Sequence, residues 1–162
     1  MTQGSTSIVV APLAGRVVDL ADVPDKMFAS KAMGDGFGLV PDDDAVVAPV
    51  SGTIAMVAHT KHAFGMLTDD GIEILVHMGI DTVELGGVPF ALGIESGDRV
   101  TAGQPVGTMN RALVEASGKN TTTMVIFTNL AMRQGTVTSH YGEAALGAEA
   151  ATVTLPGADE AA

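Results

Sequence analysis

The sequence predicts an all-β protein: an antiparallel β-sandwich with a duplicated strand motif and a few short helical turns. Three observations lead to that class. The chain carries 20 glycines and seven prolines, and they interrupt short Val- and Ile-containing runs, a punctuation that suits many short strands better than a few long helices. The run Val9-Val10-Ala11-Pro12-Leu13-Ala14-Gly15-Arg16-Val17-Val18 recurs as Val46-Val47-Ala48-Pro49-Val50-Ser51-Gly52-Thr53-Ile54-Ala55. Finally, two apolar-rich runs ending at Leu67 and starting at Ile72 flank Asp70-Gly71, a dipeptide that favours a hairpin.

Each copy of the repeat reads as an apolar strand, a Pro turn that cannot donate to a ladder, and a Gly that restarts an alternating strand. Two copies are too few for a solenoid, so a sandwich with pseudo-symmetric halves is the economical arrangement. Between the copies, Val23-Pro24-Asp25-Lys26-Met27-Phe28-Ala29 has its Pro early and predicts one helical turn. Met33-Gly34-Asp35-Gly36-Phe37-Gly38 then turns back into a strand. Asp42-Asp43-Asp44, after Pro41, reads as a solvated turn without chemistry.

Downstream, residues 95–106 alternate Gly turns with short apolar pairs, the pattern of a tight reversal. Residues 111–117 predict a brief helix closed by Gly118, and the β-branched run 121–128 predicts a strand. Residues 152–155 supply a last strand. One domain is expected over residues 8–155, flanked by a flexible N-terminus at 1–7 and a flexible acidic tail at 156–162. With 162 residues, 46% of them hydrophobic and 17% charged, the chain is long enough for one core and too apolar for extended disorder.

Eight basic against 19 acidic residues give a formal charge of −11, which repels nucleic acid and anionic lipid and attracts basic protein surfaces. There is no cysteine, so disulfides, zinc–thiolate sites, iron–sulfur clusters and thiol nucleophiles are excluded. The N-terminus lacks the regions of a signal peptide, and no apolar stretch reaches membrane-spanning length. A cytoplasmic protein with no direct membrane insertion is expected.

The hairpin carries the candidate chemistry. With a two- or four-residue connection, His62 lies directly opposite His77 or diagonal to it, on one face; a three-residue loop would split them between faces. The even registers are expected. They place Ala63, Gly65, Leu67, Ile72, Ile74 and Val76 on the core face and leave Phe64 and Leu75 beside the histidines. Two converging imidazoles on an apolar platform, with Thr60 alongside, suit a nucleophile and its helper, because a neutral imidazole is a competent nucleophile at a pKa near ~6.5. His59 and His140 read as ordinary surface residues.

Thr60-Lys61-His62-Ala63 and Gly71-Ile72-Glu73-Ile74-Leu75-Val76-His77-Met78-Gly79-Ile80-Asp81-Thr82-Val83 closely resemble the glucose-type IIA family of the bacterial phosphoenolpyruvate-dependent sugar phosphotransferase system. Both Ala-Pro-x-x-Gly copies, Val23-Pro24-Asp25 with Phe28, Met33-Gly34-Asp35-Gly36 and Gly97-Asp98-Arg99-Val100 belong to the same resemblance, which runs from residue 8 to residue 129. It implies an antiparallel β-sandwich and a phosphotransferase component with a covalent phosphohistidine intermediate. On that resemblance His77 accepts a phosphoryl group from the phosphohistidine of the carrier HPr and passes it to a cysteine of IIB, after which IIB and the membrane component IIC phosphorylate the sugar. No cofactor and no metal take part.

The resemblance further implies that His62 hydrogen-bonds the phosphoryl oxygens and that the Thr60 hydroxyl orients His62. Asp25 and Asp81 match acidic positions that rim the docking face and meet basic residues of HPr, while Phe28 and Leu75 contribute apolar docking surface. Ala58 stands where relatives can carry a larger apolar residue, which thins that surface. The identity of the sugar is not written in this chain. A zinc-dependent hydrolase using His62 and His77 as ligands, with a nearby Asp, is the alternative reading.

Overall fold

The computed structural model describes residues 4–156 and is built mainly of short strands, the class that the Gly and Pro punctuation predicts. In chain order they are β1 (Ser5–Val10), β2 (Gly15–Asp19), β3 (Asp35–Pro41), β4 (Ala45–Val47) and β5 (Gly52–Val57). The series continues with β6 (Ala63–Leu67), β7 (Glu73–Ile80), β8 (Phe90–Leu92), β9 (Arg99–Val100) and β10 (Pro105–Met109). It ends with β11 (Asn120–Phe127), β12 (Thr136–Ser139), β13 (Gly142–Ala144) and β14 (Glu149–Leu155). Two short helices, α1 (Lys26–Ala29) and α2 (Arg111–Ala116), fall where the sequence predicts them.

An eight-stranded sheet ordered β13-β2-β3-β11-β7-β6-β5-β9 packs with two three-stranded sheets, β1-β14-β12 and β4-β10-β8. The repeat explains this order. Each copy starts in a small sheet, crosses at its Pro turn and enters the large sheet as β2 or β5, which hold equivalent places from the two ends. The copies bind each other reciprocally: the Val10 N–H donates to the Pro49 carbonyl at 2.9 Å, and the Val47 N–H to the Pro12 carbonyl at 2.8 Å. Because prolines lack an N–H, their carbonyls serve as acceptors at the crossover. The sandwich is antiparallel and pseudo-symmetric, as the repeat predicts.

The domain starts earlier than expected. Ser5, Thr6 and Ser7 pair with Leu155, Thr154 and Val153 across β1 and β14, so the ladder satisfies backbone groups that a flexible terminus would leave to water. The rest of the expected flexible ends, residues 1–3 and 157–162, lies outside the described residues.

The hairpin register departs from the expected one. Ala63 pairs with His77, Phe64 with Val76 and Leu67 with Glu73. The Thr68 N–H donates to the Ile72 carbonyl at 3.0 Å, which encloses Asp69, Asp70 and Gly71 as a three-residue loop. Gly71 has φ +88, the left-handed residue that closes such a loop with a bulge. The one-residue slip moves β6 to the other face. Phe64 is fully buried in the main core with Met66, Ile74, Val76 and Met78, while Ala63, Gly65 and the 42% exposed Leu67 face outward. The assignment for β7 holds: Ile74 and Val76 point inward, and Leu75 and His77 outward.

A second, smaller core forms on that outer face. Leu20, Val23 and Phe28 pack on Met124 and Ile126 of β11, with Leu75 and Ile80 of β7 against them. This cover explains why β11 is buried at every position from Thr121 to Phe127: Val125 and Phe127 fill the main core while Met124 and Ile126 meet α1 and its approach. The outer face is thus closed over β11 and open over β6 and β7.

Candidate functional site

His77 stands at the edge of this cover. Its cross-strand partners are Ala63 on β6 and Met124 on β11. The Phe28 ring lies 5.0 Å from the imidazole, centroid to centroid, at a tilt of 52°. Phe28 is held there by a capped helix start: Asp25 Oδ1 accepts from the Met27 and Phe28 N–H groups at 2.9 and 3.3 Å. Phe28 is 5% exposed, so it forms the wall behind His77 rather than an open patch.

The His77 Nδ1–H donates to the Gly79 carbonyl at 2.9 Å. That bond assigns the proton of the neutral ring to Nδ1 and leaves a lone pair on Nε2. The carbonyl can turn back two residues along the strand because Gly79 has φ +81. A Cβ on Gly79 would run into Thr82 Cγ2 and lie 3.0 Å from the Asn120 carbonyl oxygen. Gly79→Ala is therefore expected to destabilise the fold by about 1–3 kcal/mol and to shift the carbonyl from the ring; thermal melts together with the ring nitrogen NMR shifts of His77 check both effects.

His62 reaches His77 in spite of the register. Its carbonyl accepts from the Met78 N–H at 2.8 Å, so its backbone stands opposite Met78, a position whose regular side chain would enter the core. β6 begins only at Ala63. The preceding Lys61 is left-handed, with φ +60, and its N–H closes a turn onto the Ala58 carbonyl at 2.8 Å. The chain therefore bends at His62, and its ring meets His77 edge to face, with centroids 4.9 Å apart and planes at 79°. The small Ala63 opposite His77 leaves room for it. Thr60 Oγ1 and His62 Nδ1 are hydrogen-bonded at 2.6 Å, so each imidazole is held through Nδ1.

Burial lowers the pKa of His77; the Gly79 carbonyl and the charges of Asp25 and Asp81 work in the opposite direction. His62 is lowered by burial and then by repulsion from His77. Both rings are neutral at pH 7, the state a nucleophile requires. Since the unfolded histidines bind protons more readily, stability rises with pH through the window below pH ~6.5 and is lost as pH falls through the folded pKa values. Thermal melts of the wild type are expected to fall more steeply from pH ~6.5 to ~5 than those of His77→Asn, and parallel curves would refute the burial effect.

Leu75 is half-buried beside Gly65 and Asp81 is exposed with φ +59, both on the rim of the site. Sequence reasoning missed Gly79 as the acceptor for His77, Met124 as its neighbour, and Thr82 beneath the turn. Only Gly79 left a signal, a glycine two residues beyond the histidine. His140 has a partner after all, with Nε2 3.4 Å from Glu149 Oε1, and His59 is exposed.

Fold and site together define a β-sandwich domain with a paired-imidazole centre. Residues 7–132 match the family model described as phosphoenolpyruvate-dependent sugar phosphotransferase system, EIIA 1, and the chain belongs to that family. It is 45% identical over 124 residues, 76% of its length, to the glucose-specific EIICBA component of the sugar phosphotransferase system of Streptococcus pneumoniae. It is 44% identical over 126 residues, 78% of its length, to the corresponding component of Staphylococcus saprophyticus. The chain corresponds to 17% and 19% of the lengths of these relatives. The solved glucose permease IIA from Mycoplasma capricolum superposes with a TM-score of 0.84 at 33% identity, covering 91% of this chain and 96% of that one.

The zinc-hydrolase alternative finds no support in the family. Among the described residues, no group of three or more His, Asp or Glu side chains is placed to hold a metal ion. Among the same residues, no helix is long and apolar enough to cross a membrane.

Proposed function

We propose that His77 carries the phosphoryl group on Nε2 and that His62 holds the phosphoryl oxygens. The observation that supports this most is the edge-to-face imidazole pair, with Nδ1 of each ring already engaged. The Nε2 lone pair of His77 attacks the phosphorus of phosphohistidine on HPr; the new N–P bond forms as the old one breaks, and the HPr imidazole leaves with its electron pair. In the second step a IIB cysteine thiolate takes the group, an S–P bond replaces the N–P bond, and His77 regains its lone pair. Neither step consumes a cofactor.

With the Thr60 hydroxyl donating to His62 Nδ1, the His62 proton sits on Nε2 and serves as a donor to the transferring group. Such transfers depend on positioning and charge stabilisation more than on covalent assistance. Asp25 and Asp81 give the rim a negative field, in keeping with the chain's charge of −11, and that field steers a basic partner such as HPr. The half-buried Leu75 supplies apolar contact at the rim, while Phe28, buried behind His77, backs the ring rather than meeting the partner. The named relatives are glucose-specific, so the IIB domain of a glucose permease is the first acceptor to test.

The test is direct. Protein incubated with phosphoenolpyruvate, enzyme I and HPr is expected to gain one acid-labile, alkali-stable phosphate and to lose it to IIB. A protein that takes up no phosphate under conditions where HPr is phosphorylated would overturn the reading.

A further inference from the structure

Beneath the two histidines lies a two-residue segment, Met78-Gly79, that both depend on. The Met78 N–H holds the His62 carbonyl at 2.8 Å, and the next residue, Gly79, offers the carbonyl that accepts from His77 Nδ1 at 2.9 Å. The same Met78 accepts, through its own carbonyl, the hydroxyl of Thr82 at 2.6 Å. Thr82 is completely buried, and its methyl fills the space in which a Gly79 side chain would have to stand. It opens the 3-10 turn Thr82–Leu85, straight after the left-handed Asp81, whose side chain makes no capping bond there.

We propose that Thr82 is a positioning residue for phosphoryl transfer: its hydroxyl anchors the Met78 carbonyl, which lies between the Met78 N–H that holds His62 and the Gly79 carbonyl that accepts from His77, and so fixes the tautomer of His77 and its spacing from His62. The inference rests on the reading of His77 as the phosphate carrier. Two contacts of different kinds support it. The hydroxyl bond orients the Met78 carbonyl, and the methyl packs against the turn that aims the Gly79 carbonyl. A buried threonine serving only the core would need neither the short bond to the peptide preceding Gly79 nor contact with Gly79 itself. Transfer reactions are sensitive to displacements of this kind, because reacting groups must meet in a near-attack geometry.

Thr82→Val keeps the shape and removes the hydroxyl. It is expected to remain folded by circular dichroism, to show His77 as a mixture of Nδ1–H and Nε2–H tautomers by ring nitrogen NMR shifts, and to slow transfer from HPr by about 10- to 100-fold. Thr82→Ser keeps the hydroxyl and removes the methyl; it is expected to retain the single Nδ1–H tautomer and transfer within about threefold of wild type on the same positional reasoning. A folded Thr82→Val with an unchanged tautomer and an unchanged rate overturns the proposal, as does a Ser variant as impaired as the Val variant. Should Thr82→Val not fold, the tautomer and rate of Thr82→Ser still decide, because the anchor predicts that both are preserved. The tautomer is read on unphosphorylated protein, so failure of the carrier reading, seen as absence of label on the wild type, is distinguishable from failure of the Thr82 anchor.

Discussion

His77→Ala is expected to take up no phosphate from HPr while keeping its fold. The covalent acceptor is lost, and no neighbouring group replaces it: Phe28 and Met124 have no nucleophile, and His62 is held at the bend with its Nδ1 on Thr60. Stability is retained because the main core lies on the other side of the strand, where Val76 and Met78 are fully buried. His140→Ala, remote in role and paired with Glu149, is expected to label like the wild type. Acid-labile label measured on both variants checks the expectation, and label that persists in a folded His77→Ala would sink the assignment of the carrier.

For His62→Gln the expected result is a divided one, with phosphate accepted on His77 and passed to IIB about 10²–10³ times more slowly, the size of effect that follows loss of one preorganised charge-stabilising interaction. The nucleophile and its lock on Gly79 are untouched, so the phosphohistidine still forms. What disappears is a group able to take a proton. Free His62 is held neutral by burial and by His77, but a doubly negative phosphoryl group beside it favours imidazolium and a charge-assisted hydrogen bond. A carboxamide donates without acquiring charge. Single-turnover rates for the two half-reactions separate the steps, and normal donation to IIB would remove His62 from the helper role.

Much of the fold was legible because it depends on local chemistry. The duplicated Ala-Pro-x-x-Gly run determines where strands stop, since proline cannot continue a ladder, and the copies end as symmetric crossovers between sheets. The helical turn at Phe28 follows from Pro24 and the Asp25 cap. Alternation along β7 placed Ile74 and Val76 inward and His77 outward, a result that needs only the two-residue period of a strand. The strands β12 and β13 were not legible: Thr136–Ser139 is half-exposed and Gly142–Ala144 is short, so neither carries an apolar pattern strong enough to stand out.

Parity brought His62 and His77 together for the wrong reason. The Asp-Gly signal is compatible with loops of two, three or four residues, and the choice of three depends on Gly71 taking a left-handed conformation and on contacts made far along the chain. The Arg133 guanidinium and the Asn129 amide both donate to the Gly71 carbonyl, at 2.9 and 2.8 Å. No local pattern reports such partners. With the register moved by one, the pair survives only because the left-handed Lys61 bends the chain before β6 begins.

The amino-acid sequence by itself determined the β class, the duplication, the outward placement of His77 and the family, because strand period, proline chemistry and an ordered set of motifs are local properties. Tertiary structure alone decided how the two imidazoles meet. A loop closed by distant donors set the register, α1 covered the sheet as far as His77, and the turn at Gly79, packed on Thr82, supplied the carbonyl that holds the His77 proton on Nδ1. Those are contacts between segments separated along the chain, and their energies exist only once the chain has folded.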